Sequence, residues 1–393
     1  MANRQAALDS PPHTAHRSGP GGFRPDIQAL RALAVGLVVL NHLWPTRVTG
    51  GYIGVDVFFV ISGYLISSHL IREIDGTGRI RIARFYARRV RRLLPNAFLV
   101  LAAVVAATFL IVPHARWAAY GHEVIAGALY WENWLLTAEF WSHPVDFTHF
   151  TAVTSYWSLS VEEQFYLCWP LLLLLLFKLR SPRARFTSVA AVGLASLAGC
   201  VYLTAVAKDP AYYVTPIRVW EFVIGTLIAL GGTRLALPKA AAETASLLGF
   251  AAILGSAVFF SGTTEFPGVI ALLPTLGTGL VIAAGVGPGR RWHTPLTSLP
   301  PVQLLGDISY SLYLWHWPMV VIVPFAMPGG VLTLSARLSI VAASLVLAYL
   351  SKRLVEDPVR TWPRLVGSVR LTFVCMAAGM AAVCLAAFAL LRS

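Results

Sequence analysis

Long runs of apolar residues recur along the whole chain, separated by shorter polar segments. A helix needs roughly 20 apolar residues to cross a bilayer core of ~30 Å. Eleven runs approach that length, and they cover residues 27–46, 52–71, 93–112, 156–177, 186–207, 214–231, 241–262, 267–287, 307–327, 332–351 and 370–391. The pattern predicts an all-α integral membrane protein with eleven transmembrane helices.

Basic residues concentrate in alternate connections between these runs. The segment 72–92 holds eight arginines, and the connections after the fourth, sixth, eighth and tenth runs are also basic. The longest connection on the opposite side is 113–155. Arg116 is its single Lys or Arg residue, and it also contains four acidic residues. Because basic loops remain on the cytoplasmic side, we predict a cytoplasmic N-terminus and a C-terminus outside.

Two segments do not fit the spanning pattern. Residues 1–25 are polar and contain Pro and Gly, which favours a disordered cytoplasmic tail and not a cleavable signal. The stretch Val124–Phe140 is aromatic but too short and polar to span, so an interfacial or re-entrant element is predicted. The histidines of 113–155 have no standard metal-ligand spacing, and we predict no metal site there.

Composition excludes an ordinary soluble domain. Hydrophobic residues make up 57% of the 393 residues, charged residues only 12%, and the mean hydropathy is +0.68. The net charge of +13 lies mostly at the ends of apolar runs, which indicates the lipid bilayer as partner and not nucleic acid. The four cysteines form no CxxC pair or Cys/His cluster, so neither a disulfide framework nor zinc is indicated.

Arg31 and His42 lie on the first predicted helix. Eleven residues of helix advance ~16 Å and turn about three full circles, so the two side chains share a face. Arg31 is placed near one membrane boundary and His42 well toward the other. Because ionisable groups inside a span are costly, the pair indicates a polar path through the bilayer.

Further titratable groups are expected in the outer half with His42, and they are Asp56, Glu162, Glu163, Arg218, Glu221 and His316. A histidine beside carboxylates in a low-dielectric pocket is suited to general-base catalysis. The alternative is that Asp56, Arg218 and Glu221 only pair with one another. For Arg218 and Glu221, three residues apart on one helix, pairing is the favoured interpretation. For His316, a buried histidine with satisfied hydrogen bonds is the default, and a lining role is the alternative.

A dense cluster of arginines precedes the third run, and it consists of Arg88, Arg89, Arg91 and Arg92. Guanidinium groups bind phosphate oxygens bidentately, so a polyphosphorylated cytosolic ligand is one interpretation. The other is that the cluster sets topology and attracts anionic lipid.

Several motifs occur in a fixed order between about Arg24 and Arg360. They are Arg31-x10-His42, Gly54-Val-Asp56-Val-Phe-Phe-Val-Ile-Ser-Gly63-Tyr-Leu, Arg89-x-x-Arg92-Leu-Leu-Pro95, Tyr156-Trp-Ser-Leu-Ser-Val-Glu162-Glu-Gln-Phe-Tyr166, Ser309-Tyr-Ser-Leu-Tyr-Leu-Trp-His316-Trp-Pro318 and Val355-Glu356-Asp357-Pro358. With these motifs in this order, the chain resembles the acyltransferase-3 family of membrane O-acyltransferases. The last two motifs resemble the branch that O-acetylates lipopolysaccharide O-antigen or peptidoglycan.

The resemblance implies a ten-helix domain over residues 26–365, followed by one additional transmembrane helix in 366–393, in a bacterial plasma membrane. It implies transfer of an acyl group, usually acetyl, from cytosolic acyl-CoA to a glycan hydroxyl on the outer face. His42 is then the catalytic histidine, with Arg31 on its helix. Arg89 and Arg92 bind the CoA phosphates, and Glu162 completes the site.

One departure concerns the C-terminus. Many relatives in this branch carry an extracellular SGNH-type domain after the eleventh helix, whereas this sequence stops at Ser393 without a Gly-Asp-Ser block or an Asp-x-x-His. Three explanations stay open: a shortened natural form, a separate SGNH-type partner protein, or a truncated sequence.

The resulting hypothesis is that acyl-CoA docks its phosphates on the arginine cluster and extends its pantetheine arm along the Arg31 face. His42, tuned by Asp56 or Glu162, deprotonates the acceptor hydroxyl. Tyr156 and Ser160 are candidate acyl carriers if a covalent acyl-enzyme forms. The acceptor is an O-antigen, peptidoglycan, another exopolysaccharide or a macrolide-type small molecule. The rival functions are a transporter or flippase of a lipid-linked glycan and a non-catalytic scaffold for glycan assembly.

Overall fold

The computed structural model describes residues 23–142, 150–179 and 181–392, and within these ranges every regular element is a helix. The tail predicted at 1–25 lies largely outside the described residues, as do His143 and His149. The first nine α-helices are α1 Pro25–Leu43, α2 Gly54–Thr77, α3 Ile82–Ile111, α4 Trp117–Ala128, α5 Glu132–Ser142, α6 Tyr156–Phe177, α7 Pro182–Val206, α8 Lys208–Tyr213 and α9 Thr215–Gly231.

The second half of the chain continues the bundle. Its helices are α10 Lys239–Phe259, α11 Leu272–Ala284, α12 Thr294–Thr297, α13 Pro300–Asp307, α14 Ser309–Ile322, α15 Leu334–Ser351, α16 Asp357–Thr361, α17 Pro363–Gly367 and α18 Val369–Arg392. A single π-helical turn, Lys352–Glu356, joins α15 to α16.

The predicted membrane class is confirmed. Within the described ranges eight helices are long and apolar enough to cross a bilayer. The three remaining predicted spans each contain a shorter helix: α9, α11 and α14 have 17, 13 and 14 residues. Each of the eleven apolar runs therefore holds one helix. The segment Val124–Phe140 is divided between α4 and α5, neither of which reaches spanning length.

The connection predicted at 72–92 is largely helical, which corrects the sequence interpretation. Helix α2 continues to Thr77, and α3 begins at Ile82, eleven residues before the predicted apolar run. Arginine is a good helix former, so the helix extends past the apolar stretch into the basic one. The arginine cluster therefore lies on the first turns of α3, where its side chains have fixed relative directions.

Two glycines allow α2 and α9 to pack closely. A Cβ atom at Gly63 would lie 2.6 Å from the carbonyl carbon of Phe222, and one at Gly225 would lie 2.5 Å from the Tyr64 nitrogen. Real Cβ atoms do not approach backbone this closely, so only glycine fits at either position. Gly63 and Gly225 therefore mark the place where the two helix backbones approach most closely.

Helix α1 is central to the bundle. It packs against α2, α13 and α14, and α3 packs against α14 on the other side. Helix α18 covers α3 and α4. Helices α1, α2, α6 and α14 thus face one another around the interior in which the polar side chains collect.

Candidate active site

Two cavities lie between α1, α2, α6 and α14. The larger, of about 260 Å³, is lined by His42 and is called here the histidine cavity. The smaller, of about 90 Å³, is lined by Arg31, Arg89 and Arg92 and is called the arginine cavity. Both are lined by Val55 and Tyr313. The two cavities therefore adjoin each other, and His42 and Arg31 lie in the walls of different cavities.

His42, in the wall of the histidine cavity, pairs with His316, which is fully buried and does not line the cavity. His42 Nδ1 lies 2.9 Å from His316 Nε2, and the two rings are parallel within 5°. The Trp317 ring packs on His42 with 4.5 Å between centroids, and its indole N–H donates to the Thr151 carbonyl at 2.9 Å. The imidazole of His42 is therefore held on two sides.

Hydrogen bonding assigns the tautomers of the pair. His316 Nδ1 lies 3.1 Å from the Leu312 carbonyl oxygen, which can only accept, so Nδ1 of His316 carries a proton. In a neutral His316 ring, Nε2 then holds a lone pair and accepts from His42 Nδ1–H. This leaves His42 Nε2 without a proton, which is the state required of a general base.

Aromatic side chains dominate the remaining wall of the histidine cavity. They include Tyr52, Trp157, Tyr212, Tyr213 and Phe266, with Lys208 and Asp209 supplying charge at its margin. Rigid amphipathic rings with a few polar groups are typical of a site that binds a partly polar organic molecule.

Asp56 is in an ion cluster and not in contact with His42, which corrects the expected tuning of that histidine. Arg218 Nη2 donates to Asp56 at 2.8 Å, and its Nε donates to Glu221. All three side chains are fully buried. The prediction that Arg218 pairs with Glu221 is confirmed. A buried charge requires a partner, and Asp56 finds it on another helix, 162 positions along the chain.

The same guanidinium supports the aromatic wall. Arg218 lies within 5.4–5.9 Å of four ring centroids, those of Phe59, Trp157, Tyr212 and Phe266. Three of these rings line the histidine cavity. The cation–π contacts and the ion pairs together fix the position of that wall.

Glu162 lines the arginine cavity, so its expected place beside His42 is also corrected. It accepts hydrogen bonds from Ser62 and Tyr166. The Arg89 guanidinium stacks on the Tyr166 ring, 4.2 Å from its centroid, and Arg31 donates to Gln28 at 3.0 Å. Three guanidinium groups facing one carboxylate make this cavity a candidate anion site.

The four clustered arginines lie on different faces of α3 and have different surroundings. Arg89 and Arg92 are three residues apart, share a face of α3 and line the cavity. Arg88 instead contacts His69 at 2.8 Å and Glu73 at 3.4 Å. Arg91 donates to the Leu365 carbonyl at 3.1 Å and to Thr372 at 3.3 Å. The structure therefore brings only two of the four to the site.

Tyr156 and Ser160, the predicted acyl carriers, are fully buried and line neither cavity. Tyr156 donates to the Ala97 carbonyl at 2.9 Å, and Ser160 donates to the Tyr156 carbonyl at 3.0 Å. Both hydroxyls are thus engaged by backbone and have no access to the two cavities.

A pair of buried carboxyl groups lies behind the histidine cavity, on the short helices α4 and α5. Glu123 accepts from Thr151 at 2.6 Å and from Thr154, a cavity-lining residue, at 2.9 Å. Burial raises the pKa of Glu123 to about 7. Burial, reinforced by the charge of Glu123, raises the pKa of Glu132. Both groups are therefore biased toward the protonated form.

Tyr313 and Trp317 were missed by the sequence analysis. Tyr313 precedes His316 by three residues and Trp317 follows it directly, within the motif already noted. The spacing of Tyr313 and His316 places them on one helical face, which was the available signal. Nothing in the sequence indicates that Trp317 packs on His42.

A family model described as "Acyltransferase domain" matches residues 24–353, and the chain belongs to this acyltransferase family. The resemblance inferred from the motifs is thereby confirmed. No solved structure matches the chain.

Similar curated proteins are O-acetyltransferases. The peptidoglycan O-acetyltransferase OatA of Listeria monocytogenes is 30% identical over 348 residues, which cover 86% of this chain and 56% of the relative. The O-acetyltransferase OatA of Staphylococcus aureus is 30% identical over 353 residues, covering 86% and 57%. A putative O-acetyltransferase of Staphylococcus aureus is 32% identical over 350 residues, with the same coverage. The chain spans little more than half the length of these relatives.

Proposed function

We propose that this protein transfers an acyl group, acetyl in the first instance, from acyl-CoA to a hydroxyl group of a cell-envelope glycan. The donor enters from the cytoplasm at the end of the bundle that carries Arg89 and Arg92, and the acceptor occupies the histidine cavity. The protein is then a multi-pass protein of the bacterial plasma membrane, with a cytoplasmic N-terminus and an external C-terminus.

The observation that carries the proposal is the adjacency of two chemically different cavities. One is lined by three guanidinium groups, which suit the phosphates of CoA. The other is lined by a histidine whose Nε2 is free to accept a proton. At about 90 Å³ the arginine cavity suits a thin pantetheine arm, with the nucleotide held at its mouth.

In the proposed reaction His42 Nε2 accepts the hydroxyl proton of the acceptor while that oxygen attacks the thioester carbonyl. The new C–O bond forms and the C–S bond breaks. His42 then returns the proton to the departing sulfur, so the products are an O-acyl ester and CoA. His316 holds the required tautomer throughout by accepting from His42 Nδ1–H.

The relatives favour a glycan acceptor. Their names specify O-acetylation and, for the Listeria protein, peptidoglycan. The aromatic wall of the histidine cavity offers flat apolar faces and polar edges, which suit a sugar ring. A separate SGNH-type protein is a second acceptor to be tested for the acyl group.

The test is release of CoA from acetyl-CoA by the purified protein in lipid nanodiscs, with peptidoglycan fragments as acceptor. CoA is quantified by chromatography, so that the protein's own free thiols, among them Cys168 and Cys375, do not contribute to the signal. We expect His42→Ala to lower turnover about 100-fold or more. We expect Arg89→Ala with Arg92→Ala to raise KM for acetyl-CoA.

Control variants distinguish these effects from a non-specific loss of activity caused by substitution. His122 and Arg84 are exposed, and His122→Ala and Arg84→Ala should leave turnover and KM unchanged. Full turnover by folded His42→Ala would refute the catalytic assignment. Movement of a lipid-linked glycan by wild-type protein without acyl-CoA consumption would favour the transporter.

A further inference from the structure

Tyr313 separates the two cavities. Among the residues that the structure describes, it is one of two that line both, the other being Val55 on α2. Its side chain extends from α14 toward α6, where Ser155 lines the histidine cavity and Ser158 lines the arginine cavity. The boundary between the proposed donor and acceptor spaces is therefore formed by one phenol ring and one valine.

Hydrogen bonds hold Tyr313 in this position. Its hydroxyl donates to the Ser155 carbonyl at 3.1 Å, and the Ser158 hydroxyl lies 2.7 Å away, placed to donate to the phenol oxygen. Ser158 Oγ also lies 3.4 Å from the Ser155 carbonyl, so it has an alternative acceptor when Tyr313 moves. Both hydrogen bonds of Tyr313 join uncharged groups, so they can be broken without exposing a charge.

Tyr313 is also next to the proposed base. It lies one helical turn before His316, with 5.5 Å between the two ring centroids. A thioester that meets an acceptor at His42 must therefore come to the position that this phenol ring borders.

We propose that Tyr313, with Val55, is the partition through which the acyl end of the donor reaches His42, and that its bulk limits the length of the acyl chain. This inference rests on the proposed function. In the closed position the ring keeps acceptor-side water from the thioester. In the open position it leaves a passage suited to a short acyl group. Tyr313 is thus a specificity-determining residue.

The experiment compares acetyl-, butanoyl- and hexanoyl-CoA with wild-type protein and three variants in nanodiscs. Truncation in Tyr313→Ala should raise the ratio of hexanoyl to acetyl turnover by about 10-fold or more. It should also raise CoA release in the absence of acceptor. Tyr313→Phe keeps the ring but loses both hydrogen bonds, so it should retain the length preference while raising acceptor-free release. Tyr202→Ala, a truncation at a tyrosine on α7 that is 70% exposed, should change neither.

Folding of each variant is verified by gel filtration and thermal unfolding. If Tyr313→Ala does not fold, Val55→Ala opens the same partition from α2 and should shift the ratio in the same direction. An unchanged ratio in a folded truncation variant, with active wild type, overturns the partition alone. Absence of CoA release from wild-type protein with all three donors overturns the proposed function and this inference together.

Discussion

His42 and His316 lie 274 positions apart in the chain and share a hydrogen bond of 2.9 Å between Nδ1 and Nε2. The bond joins α1 to α14 and assigns a donor role to one ring and an acceptor role to the other. The residue that orients His42 is therefore an imidazole, where a carboxylate was expected.

Substitution of His316 tests this relationship. A glutamine side-chain oxygen can accept from His42 Nδ1–H, whereas phenylalanine cannot. We expect His316→Phe to lower kcat/KM for acyl transfer by about 10- to 100-fold and His316→Gln to recover part of that loss. Equal activity of the two variants would contradict an orienting role. The pH–rate profile supplies a readout that a packing defect would not shift.

Removal of Arg218 should destabilise the fold. Arg218→Met leaves Asp56 and Glu221 buried without their cation, and such a loss typically costs about 3–5 kcal/mol. Thermal unfolding in detergent micelles measures the effect. Arg47→Met, at an exposed arginine in the turn after α1, is the matched control and should change stability little. A second substitution, Glu221→Gln, should restore part of the loss by removing one of the stranded charges.

Glu123 should make stability depend on pH. Its pKa is raised from 4.5 to about 7 by burial, so the folded protein retains a proton that the unfolded chain has lost. The stabilisation is complete below about pH 4.5 and disappears as the pH rises through 7. Its size is on the order of 3 kcal/mol. Unfolding temperatures measured between pH 5 and 8 should fall with rising pH.

The variant Glu123→Gln should make that pH dependence smaller, because an amide does not titrate, while Glu132, whose pKa burial also raises, retains part of it. Glu265→Gln, at an exposed position, should retain the wild-type slope. Identical slopes for wild-type protein and Glu123→Gln would remove Glu123 from the explanation.

The contact between α2 and α9 predicts opposite effects for two glycines of the same helix. Gly63→Ala places a methyl group against the Phe222 backbone and should cost about 1–3 kcal/mol. Gly76→Ala meets nothing within 4 Å and should be neutral or stabilising by up to about 1 kcal/mol. Comparison of the two unfolding temperatures checks the pair. Equal loss in both would indicate a general intolerance of α2 to substitution.

Most of the helices could be predicted because a helix that crosses a bilayer needs a run of about 20 apolar residues, and such a run is easily recognised in a sequence. The bounds of α6 coincide with the predicted run 156–177. The start of α3 was not predictable from hydropathy, because its first turns are basic and their helicity depends on arginine propensity and packing.

Those parts of the site that depend on two residues of the same helix could be predicted. The shared face of Arg31 and His42 and the i, i+3 spacing of Arg89 and Arg92 follow from α-helical geometry, and these residues line the two cavities. The partners of Asp56 and His42 come from α9 and α14. Such pairings depend on how helices dock, which a single sequence does not specify.

The Arg218 guanidinium contacts four aromatic rings, and this affects how amino-acid substitutions at those rings combine. A change at Tyr212 alters the surroundings of Arg218 and thereby those of Trp157 and Phe266, so substitutions along this wall should have non-additive effects. New acceptor preferences should then arise through coordinated replacement of several aromatic residues, because a single exchange disturbs the support of its neighbours.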